Sequence, residues 1–432
     1  MENLLEKLFK LKENQTTVRT EITAGVVTFL TMAYIIVVNP AILSDAGMDF
    51  GSVFVATILA AVLGTTIMGL WANWPVALAP GMGLNTFFTY SIVLGMGHSW
   101  QVALGAVFWA GFLFLIISLT PLRKWIINSI PKSLKLGIGA GIGFFLAMIG
   151  FKNAGFVVDH PATLITLGDI SSLPVILASL GFISMAVLHA YKVQGAIIFT
   201  IIGVSVLSAL LGITEFHGVV SAVPSIDPTL LQLDIMGVVE GGLIGIVFAF
   251  LFVDFFDTAG TLISVANISG KIDEKGEVEN IDKALLADSS ATMIGAVLGT
   301  SNTTSYIESG AGVAEGGRTG LTAITVAFLF LLCLFFAPLA KSIPPFATAS
   351  ALIFVSTFFA KNLKDIDWED VTEYVPAMIA TLVMPFTFSV THGLTLAFIS
   401  YVLIKLLSGR YKELPLAVIL VALLSVLYYW IV

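Results

Sequence analysis

The third apolar run of the chain covers residues 75–88 and reads PVALAPGMGLNTFF. Its two prolines and two glycines fall within nine residues, which excludes a regular membrane helix because proline removes a backbone donor and glycine weakens helices. The tenth run, residues 299–310, reads GTSNTTSYIESG and is short and polar. Irregular backbone persists at membrane depth only where protein or a water-filled cavity surrounds it. These two runs therefore predict broken segments in the interior of a membrane protein.

The composition places the chain in a bilayer. Of its 432 residues 57% are hydrophobic and only 11% are charged, and the mean hydropathy is +1.00. Soluble proteins carry about 25% charged residues, so a soluble fold of this composition would expose a largely apolar surface. At roughly 20 residues per helical span, the length allows about fourteen crossings.

The hydrophobic pattern predicts fourteen spans, and a further apolar run follows at 415–432. The predicted spans lie near 22–43, 52–72, 75–90, 101–120, 133–151, 172–190, 194–212, 237–267, 284–299, 301–315, 319–340, 346–360, 374–390 and 392–408. With the N-terminus inside, only Lys152 and Lys341 among the 20 lysines and arginines fall on the outer side. Because basic residues concentrate in cytoplasmic loops, this asymmetry supports the span count and a cytoplasmic N-terminus. It does not decide whether 415–432 crosses the bilayer, since no basic residue follows that run.

The two broken segments occupy matching places, third of the first seven spans and third of the second seven. Seven is odd, so the second half enters the membrane in the opposite orientation. This arrangement is typical of carriers with inverted repeats, whose interrupted elements meet near the bilayer midplane. We therefore predict an all-α polytopic membrane protein of about fourteen spans in two inverted seven-span repeats. The alternative is that both segments are re-entrant loops that bind no ligand.

Three acidic residues lie deep in the predicted membrane region: Asp254 and Asp257 in span 8, and Glu308 in span 10. An acid at the centre of a membrane helix costs roughly 3 kcal/mol or more to insert, so these acids indicate a function. Glu240 and Asp288 lie nearer to span ends. A site lined by such acids repels anions and favours a cation, or a neutral ligand that presents several N–H donors. Each acid is also a candidate proton site.

The spacing within span 8 favours a shared site. Asp254, Asp257 and Thr258 fall on one helix face because residues three and four apart are neighbours. We prefer Asp254 as the substrate contact, with Asp257 as a proton relay or a structural acceptor. Aromatic rings adjoin the acids and would stack on a planar ligand, although many membrane phenylalanines only pack. These rings belong to Phe87, Phe88, Phe252, Phe255, Phe256 and Tyr306.

Four motifs carry a resemblance to a known family. They are APGMGLN at 79–85, FVDFFDTAGT at 252–261, ADSS at 287–290 and TSYIESGAGVAEGGRTG at 304–320. Together they resemble the AzgA-like branch of the nucleobase:cation symporters, a family related to the xanthine/uracil permeases, and in particular the bacterial guanine/hypoxanthine permeases. The likeness runs over essentially the whole chain. Asn302 departs from the hydroxyl residue of some relatives.

The resemblance implies a division into two domains that move against each other. The core domain would comprise 20–120 (spans 1–4) and 237–340 (spans 8–11). The gate domain would comprise 121–236 (spans 5–7) and 341–412 (spans 12–14). Residues 1–19 would form a cytoplasmic, amphipathic N-terminal segment or a polar tail, and 413–432 an extra apolar segment that a fourteen-span fold does not explain.

The resemblance also implies a substrate and a coupling ion. Glu308 and Asp254 would hold a purine base, Asn85 would support the site, and backbone N–H groups near Gly83 and Ser305 would meet the acceptors of the base. Phe255 and Tyr306 are the remaining candidate substrate-binding residues. Glu308, Asp254, Asp257 and Thr258 are the candidate coupling residues for a proton, with sodium as the open alternative.

We therefore expect a proton symporter that imports guanine or hypoxanthine across the bacterial inner membrane. We expect no other cofactor or metal, and we expect a homodimer because related carriers often form one. Adenine, uracil and xanthine are alternative cargoes on the same fold, and an ion channel is the alternative class. No HExxH, GxSxG or Walker pattern occurs, so an enzyme is not expected. No nucleic-acid partner is expected either.

Overall fold

The structure, a computed structural model, describes residues 2–120, 130–271 and 278–431. The described part of the chain is 72% helical. Within the described residues, nine helices are long and apolar enough to cross a membrane. The predicted inner loops that hold Arg123, Lys124 and Lys275 lie outside the described residues. The expectation of an all-α polytopic membrane protein is confirmed.

The elements follow the predicted order of fourteen spans. Spans 1 to 7 comprise Val18–Met32 with Ile35–Asp45, Phe50–Ile67, the broken segment described below, Trp100–Leu119, Lys132–Ala154, Leu173–Ala190 and Ala196–Leu210. Spans 8 to 14 comprise Ile244–Ser269, Ile281–Leu298, the second broken segment, Gly320–Leu332 continued by Ala337–Lys341, Pro345–Ala360, Val371–Thr387 and Val390–Leu407. A hairpin of β2 (Val157–His160) and β3 (Leu164–Leu167) joins spans 5 and 6.

Spans 3 and 10 each begin with a short strand and continue as a helix. Span 3 consists of β1 (Leu78–Pro80), the helix Met82–Thr86 and a π-helix over Phe87–Gly95. Span 10 consists of β4 (Thr303–Ser305) and the helix Ser309–Ala314. The strands pair antiparallel, with Ala79 opposite Thr304. The pairing satisfies the facing edges of the two strands, and side chains satisfy amides on the outer edges: the Leu78 amide donates to the Thr65 hydroxyl (2.9 Å) and the Ser305 amide to Asp288 (2.7 Å). Extended backbone at membrane depth requires such partners.

One predicted boundary is wrong. The predicted span 8 began at 237, but Ile235–Glu240 is a separate short helix and span 8 begins at Ile244. Gly242 separates them at φ +65°, a left-handed conformation that favours glycine over other residues. Glu240 therefore lies outside span 8.

Both ends of the chain form helices that pack on the bundle. Phe9 ends the N-terminal helix Glu2–Phe9, and together with Leu11 it is buried against Leu321 at the start of span 11. The run after span 14 forms the helix Leu416–Ile431, which packs along span 14. Its 16 residues are about 24 Å long, shorter than a hydrocarbon core of roughly 30 Å.

Two sets of helices hold the broken spans between them. Span 9 packs on spans 2 and 4, and span 11 packs on spans 1 and 2. Span 5 packs on spans 12 and 13, and span 6 on span 12. The helix at the start of span 3 contacts spans 1, 5 and 8. The broken elements therefore lie where the two sets of helices meet.

Candidate functional site

A cavity of about 510 Å³ lies beside the β1–β4 pair. Its walls come from span 1, the broken spans 3 and 10, span 8, and spans 5 and 12 across from them. The residues from spans 5, 8 and 12 lie toward the ends of those spans on the same side of the membrane as the N-terminus. The volume falls within the range of about 300–1,000 Å³ that small-molecule sites occupy.

Glu308 lines the cavity at the start of the half-helix of span 10. Its Oε1 accepts a hydrogen bond of 2.7 Å from the Tyr34 hydroxyl in span 1. Tyr34 is completely buried and also lines the cavity. One oxygen of Glu308 is therefore fixed by the protein, and the carboxyl is held in one position on the cavity wall.

Asp257 also lines the cavity, and its side chain is exposed there. Unlike the other deep acids, it has no hydrogen-bond partner among the described residues. The deep position is costly for a charge, and no described residue gives this carboxyl a hydrogen bond or an ion pair. Asp257 is therefore the acid most available to a ligand.

Asp254 does not line the cavity and is only 1% exposed. Its Oδ2 accepts hydrogen bonds from the Thr292 hydroxyl (2.9 Å) and from the Asn302 side-chain amide (3.1 Å). The two acids of span 8 thus have different surroundings. The structure places Asp257, and not the preferred Asp254, on the cavity wall.

Asp288 in span 9 supports the strand of span 10. Its Oδ2 accepts from the Ser305 amide (2.7 Å) and hydroxyl (2.6 Å), and its Oδ1 accepts from Thr258 at 2.8 Å. Thr258 in turn lies 2.8 Å from the Thr304 hydroxyl. Ser305 and Thr304 line the cavity, whereas Thr258 does not. The sequence marks Asp288 as an acid near a span end and as part of the ADSS motif, but it does not predict this supporting role.

Other predicted site residues divide between the wall and the interior. Gly83 and Tyr306 line the cavity, and the Tyr306 hydroxyl donates to the Pro80 carbonyl across the strand pair at 2.5 Å. Asn85 is fully buried and accepts a hydrogen bond from Ser301 away from the cavity. Phe255 is buried against Phe114, with ring centroids 5.2 Å apart. Asn85 and Phe255 therefore pack behind the residues that line the cavity.

Several cavity residues from spans 5 and 12 are not predicted from the sequence. Lys135 in span 5 lines the cavity, and its Nζ lies 5.7 Å from the centre of the Phe256 ring. In the sequence Lys135 lies among the basic residues of an inner loop, so the sequence does not indicate that it lines the cavity. Phe358 and Phe359 of span 12 add rings to the same wall. The cavity thus combines acids, one cation and aromatic faces.

Comparison with known proteins assigns the family. A family model described as "Permease family" matches residues 19–426. The chain belongs to this family. The permease is 46% identical to the adenine permease AdeP of Escherichia coli over 426 residues, which cover 99% of the chain and 96% of AdeP. It is 44% identical to the guanine/hypoxanthine permease PbuO of Bacillus subtilis over 425 residues, which cover 96% of the chain and 98% of PbuO.

Solved structures share the fold at low sequence identity. The transmembrane domain of the cyanobacterial bicarbonate transporter BicA matches with a TM-score of 0.65 and 16% identity, over 88% of the permease and 97% of that domain. SLC26A9 matches with a TM-score of 0.67 and 9% identity, over 94% of the permease and 69% of that chain. The family resemblance drawn from the four motifs is confirmed, and the chain is a membrane permease and not an enzyme.

Proposed function

We propose that the permease imports purine bases by proton symport, with guanine or hypoxanthine as its cargo. The observation that carries the proposal is the pair Asp257 and Glu308 on one wall of the cavity, of which Asp257 has no partner in the described protein. Carboxylates are acceptors only, so they suit a neutral ring that presents N–H groups. The relatives named for adenine and for guanine/hypoxanthine support the class of cargo.

Other residues of the cavity wall suit the remaining edge of such a base. Lys135 offers donors, and a 6-oxopurine presents a carbonyl oxygen and ring nitrogens that accept hydrogen bonds. Phe256, Phe358 and Phe359 provide aromatic faces for stacking. In this proposal Glu308 and Asp257 bind the N–H edge, Ser305 and Gly83 border the base, and Lys135 meets its acceptors.

Charge supplies the coupling. The deep acids of spans 8 and 10, Asp257 and Glu308 on the cavity wall and Asp254 behind it, carry negative charge, and moving that charge past an apolar wall costs free energy. A proton that enters with the base neutralises one of these acids, so the loaded site crosses more easily than the half-loaded site. The same logic would hold for sodium, which is the alternative coupling ion.

We also propose that spans 1–4 and 8–11 move as a core against a gate of spans 5–7 and 12–14. The packing of span 9 on spans 2 and 4, and of span 5 on spans 12 and 13, supports this division. With a cytoplasmic N-terminus in a bacterial inner membrane, the cavity lies on the cytoplasmic side. A homodimer belongs to the same proposal and is checked by mass measurement of the purified permease.

The experiment must distinguish proton-driven import of guanine or hypoxanthine from two alternatives. Adenine, uracil or xanthine would be another cargo in the same cavity, and an ion channel would be a different class. Hydrogen bonds between the two sets of helices on the side away from the cavity favour a carrier, since a channel needs a continuous path. The Ser91 hydroxyl donates to the Phe388 carbonyl at 2.6 Å, and Asn153 donates to Tyr90 at 3.1 Å.

The test is uptake of radiolabelled hypoxanthine into proteoliposomes with an imposed inward proton gradient. We expect saturable uptake that a protonophore abolishes, with competition by unlabelled adenine, guanine, xanthine and uracil ranking the cargoes. Glu308→Gln should lose or uncouple uptake while the purified protein stays folded and monodisperse. Ion conductance without saturable uptake would identify a channel, and uptake driven by sodium alone would replace the proton.

A further inference from the structure

A second polar cluster lies behind the cavity, within the protein interior. It consists of Asp254 in span 8, Thr292 in span 9 and Asn302 just before β4, which are 1%, 0% and 0% exposed. None of the three lines the cavity. The substrate contacts proposed above do not use this cluster, although it contains a buried ionisable group.

The cluster contains two acceptors without donors. The Asn302 amide nitrogen donates to Asp254 Oδ2, but Asp254 Oδ1 and Asn302 Oδ1 are both buried without a hydrogen-bond partner. A buried acceptor left without a donor is unfavourable. Here the two unpaired oxygens belong to side chains that are already joined by one hydrogen bond.

One proton on Asp254 gives both of these oxygens a hydrogen-bond partner. A protonated carboxyl gains an O–H donor and keeps an acceptor, and a primary amide offers a donor and an acceptor in return. We propose that Asp254 holds the coupling proton and that Asn302 is the positioning residue that recognises its protonated form, as a carboxylic acid–amide pair. This inference rests on the proposed proton symport and assigns the proton to one of its acids.

The other acids nearby are engaged elsewhere. Asp288 from span 9 has both oxygens occupied by Ser305 and Thr258. Glu308 from span 10 accepts from Tyr34, and Asp257 on the same helix faces the cavity. Asp254 is the deep acid that contacts an amide able to complement its protonated form.

The position of Asn302 links this proton to the substrate site. Its backbone carbonyl accepts from the Gly81 amide at 2.9 Å, next to the β1–β4 pair, and the chain continues through β4 to Glu308. Thr292 adds a second link, because its hydroxyl oxygen lies 2.9 Å from Asp254 Oδ2 and 3.0 Å from the Thr303 carbonyl. The Thr292 hydroxyl has one hydrogen to share between these two acceptors. Neutralising Asp254 makes its carboxyl a weaker acceptor, so the hydrogen moves to the Thr303 carbonyl and the bond between span 9 and β4 becomes stronger.

The test compares purine exchange with proton-driven accumulation in proteoliposomes. Exchange of labelled for unlabelled hypoxanthine needs no net proton movement, whereas accumulation does. Asp254→Asn imitates the protonated acid, so we expect exchange within about threefold of wild type and accumulation reduced at least tenfold. Asp257→Asn is the matched control and should weaken both measurements, since Asp257 is a proposed substrate contact.

A swapped pair separates a proton site from mere packing. Asn302→Asp alone places two acids together and should lose accumulation, whereas the double variant Asp254→Asn with Asn302→Asp rebuilds an acid–amide pair. We expect the double variant to recover at least a third of wild-type accumulation, with a shifted pH profile. Recovery of folding without any recovery of accumulation would overturn the inference.

Two further outcomes would also overturn it. The first is wild-type accumulation by Asp254→Asn. The second is accumulation that follows a sodium gradient and ignores the proton gradient, because Thr303 Oγ1 is a third unpartnered oxygen and the cluster would then be a cation site. Failure of the wild-type permease to exchange any purine would refute the proposed function itself, and it is measured first.

Discussion

At the scale of single residues, the position of Glu308 depends on one hydroxyl. Tyr34 donates to it at 2.7 Å, and a hydrogen bond to a charged group contributes about 1.5–3 kcal/mol. Tyr34→Phe should therefore raise the KM for purine uptake roughly ten- to a hundredfold, because the carboxyl no longer has a fixed orientation. The measurement is initial uptake rate against purine concentration.

A matched control exists within the same chain. Tyr401 donates to Glu373 at 3.0 Å, away from the cavity, so Tyr401→Phe removes a comparable bond without touching the site. Its KM should stay near the wild-type value. An unchanged KM in Tyr34→Phe, or an equal rise in both variants, would show that Tyr34 does not act by orienting Glu308.

The two aspartates of span 8 show how far residue-level reasoning extends. Their spacing predicts that both acids share one face of the helix, but three residues of helix amount to about 300° of rotation. The two side chains therefore diverge by about 60°. This is enough to direct Asp257 into the cavity and Asp254 toward Thr292 and Asn302, and only the tertiary structure shows which is which.

At the scale of elements, the sequence predicts that spans 3 and 10 are broken but does not predict how they pair. Proline, glycine and hydroxyl residues exclude regular helices there whatever the partner. The register, with Ala79 opposite Thr304, depends on support from outside the strands, such as the Asp288 bonds to Ser305. The cavity position of Lys135 is not predictable either, because a lysine near the start of a helix looks in the sequence like a charge in a cytoplasmic loop.

Gly83 is an element-scale test of motion between the two sets of helices. It lies in the half-helix of span 3, and a Cβ there would overlap Ile142 Cγ2 of span 5. Overpacking of this kind costs about 1–3 kcal/mol. Gly83→Ala should therefore lower the maximal uptake rate roughly tenfold. Adding Ile142→Ala should restore most of it by removing the overlapping methyl group, and a double variant as slow as Gly83→Ala would exclude steric overlap as the cause.

The ion pairs between the start of span 13 and the segment after span 14 give a prediction for pH. Asp370 caps span 13, and hydrogen bonds from Thr372, with Arg410 at 2.6 Å, lower the pKa of Asp370 to about 2. Bonds from Arg410 and Lys405 also lower the pKa of Glu413 to about 2. Because these values lie below the unfolded values of about 4, the two carboxylates stabilise the fold above pH 4, and the contribution is lost as pH falls toward 2.

The thermal unfolding midpoint of the detergent-solubilised permease should therefore fall between pH 5 and pH 2.5. The fall should be smaller in Arg410→Gln, whose carboxylates have less to lose. Arg19→Gln replaces an exposed arginine that makes no ion pair among the described residues, and it should behave as the wild type does. Equal falls in Arg410→Gln and the wild type would remove Arg410 as the source of the pH dependence.

At the scale of the whole molecule, the fold alone does not choose the cargo. The same architecture occurs in a bicarbonate transporter and in an SLC26 anion transporter, whereas this cavity presents two carboxyls that repel anions. The fold supplies a cavity between two broken spans and a second set of helices to move against. The side chains on its walls then set which ligands are bound, which is why the proposed function depends on Asp257 and Glu308 more than on topology.

On the side of the molecule away from the cavity, span 3 makes contacts with spans 5 and 13 that we call the outer seal. It comprises the Ser91–Phe388 and Asn153–Tyr90 hydrogen bonds, and Tyr90 is itself held by Asp45 at 2.6 Å. A neutral hydrogen bond contributes about 1 kcal/mol. Ser91→Ala with Asn153→Ala should therefore shift the equilibrium roughly thirtyfold toward the conformation open on the seal side.

Thiol labelling measures that shift. Cys333 is the chain's one cysteine, so Ser264→Cys on a Cys333→Ala background places a single reactive group on the cavity wall. A charged, membrane-impermeant thiol reagent applied from the cavity side should label it more slowly once the seal is weakened. Thr395→Ala, which removes a bond to Tyr429 between span 14 and the C-terminal helix, is the control and should leave the rate unchanged. Equal labelling in the sealed and weakened proteins would mean that these hydrogen bonds do not hold the cavity-side conformation, and that apolar packing between core and gate sets the equilibrium instead.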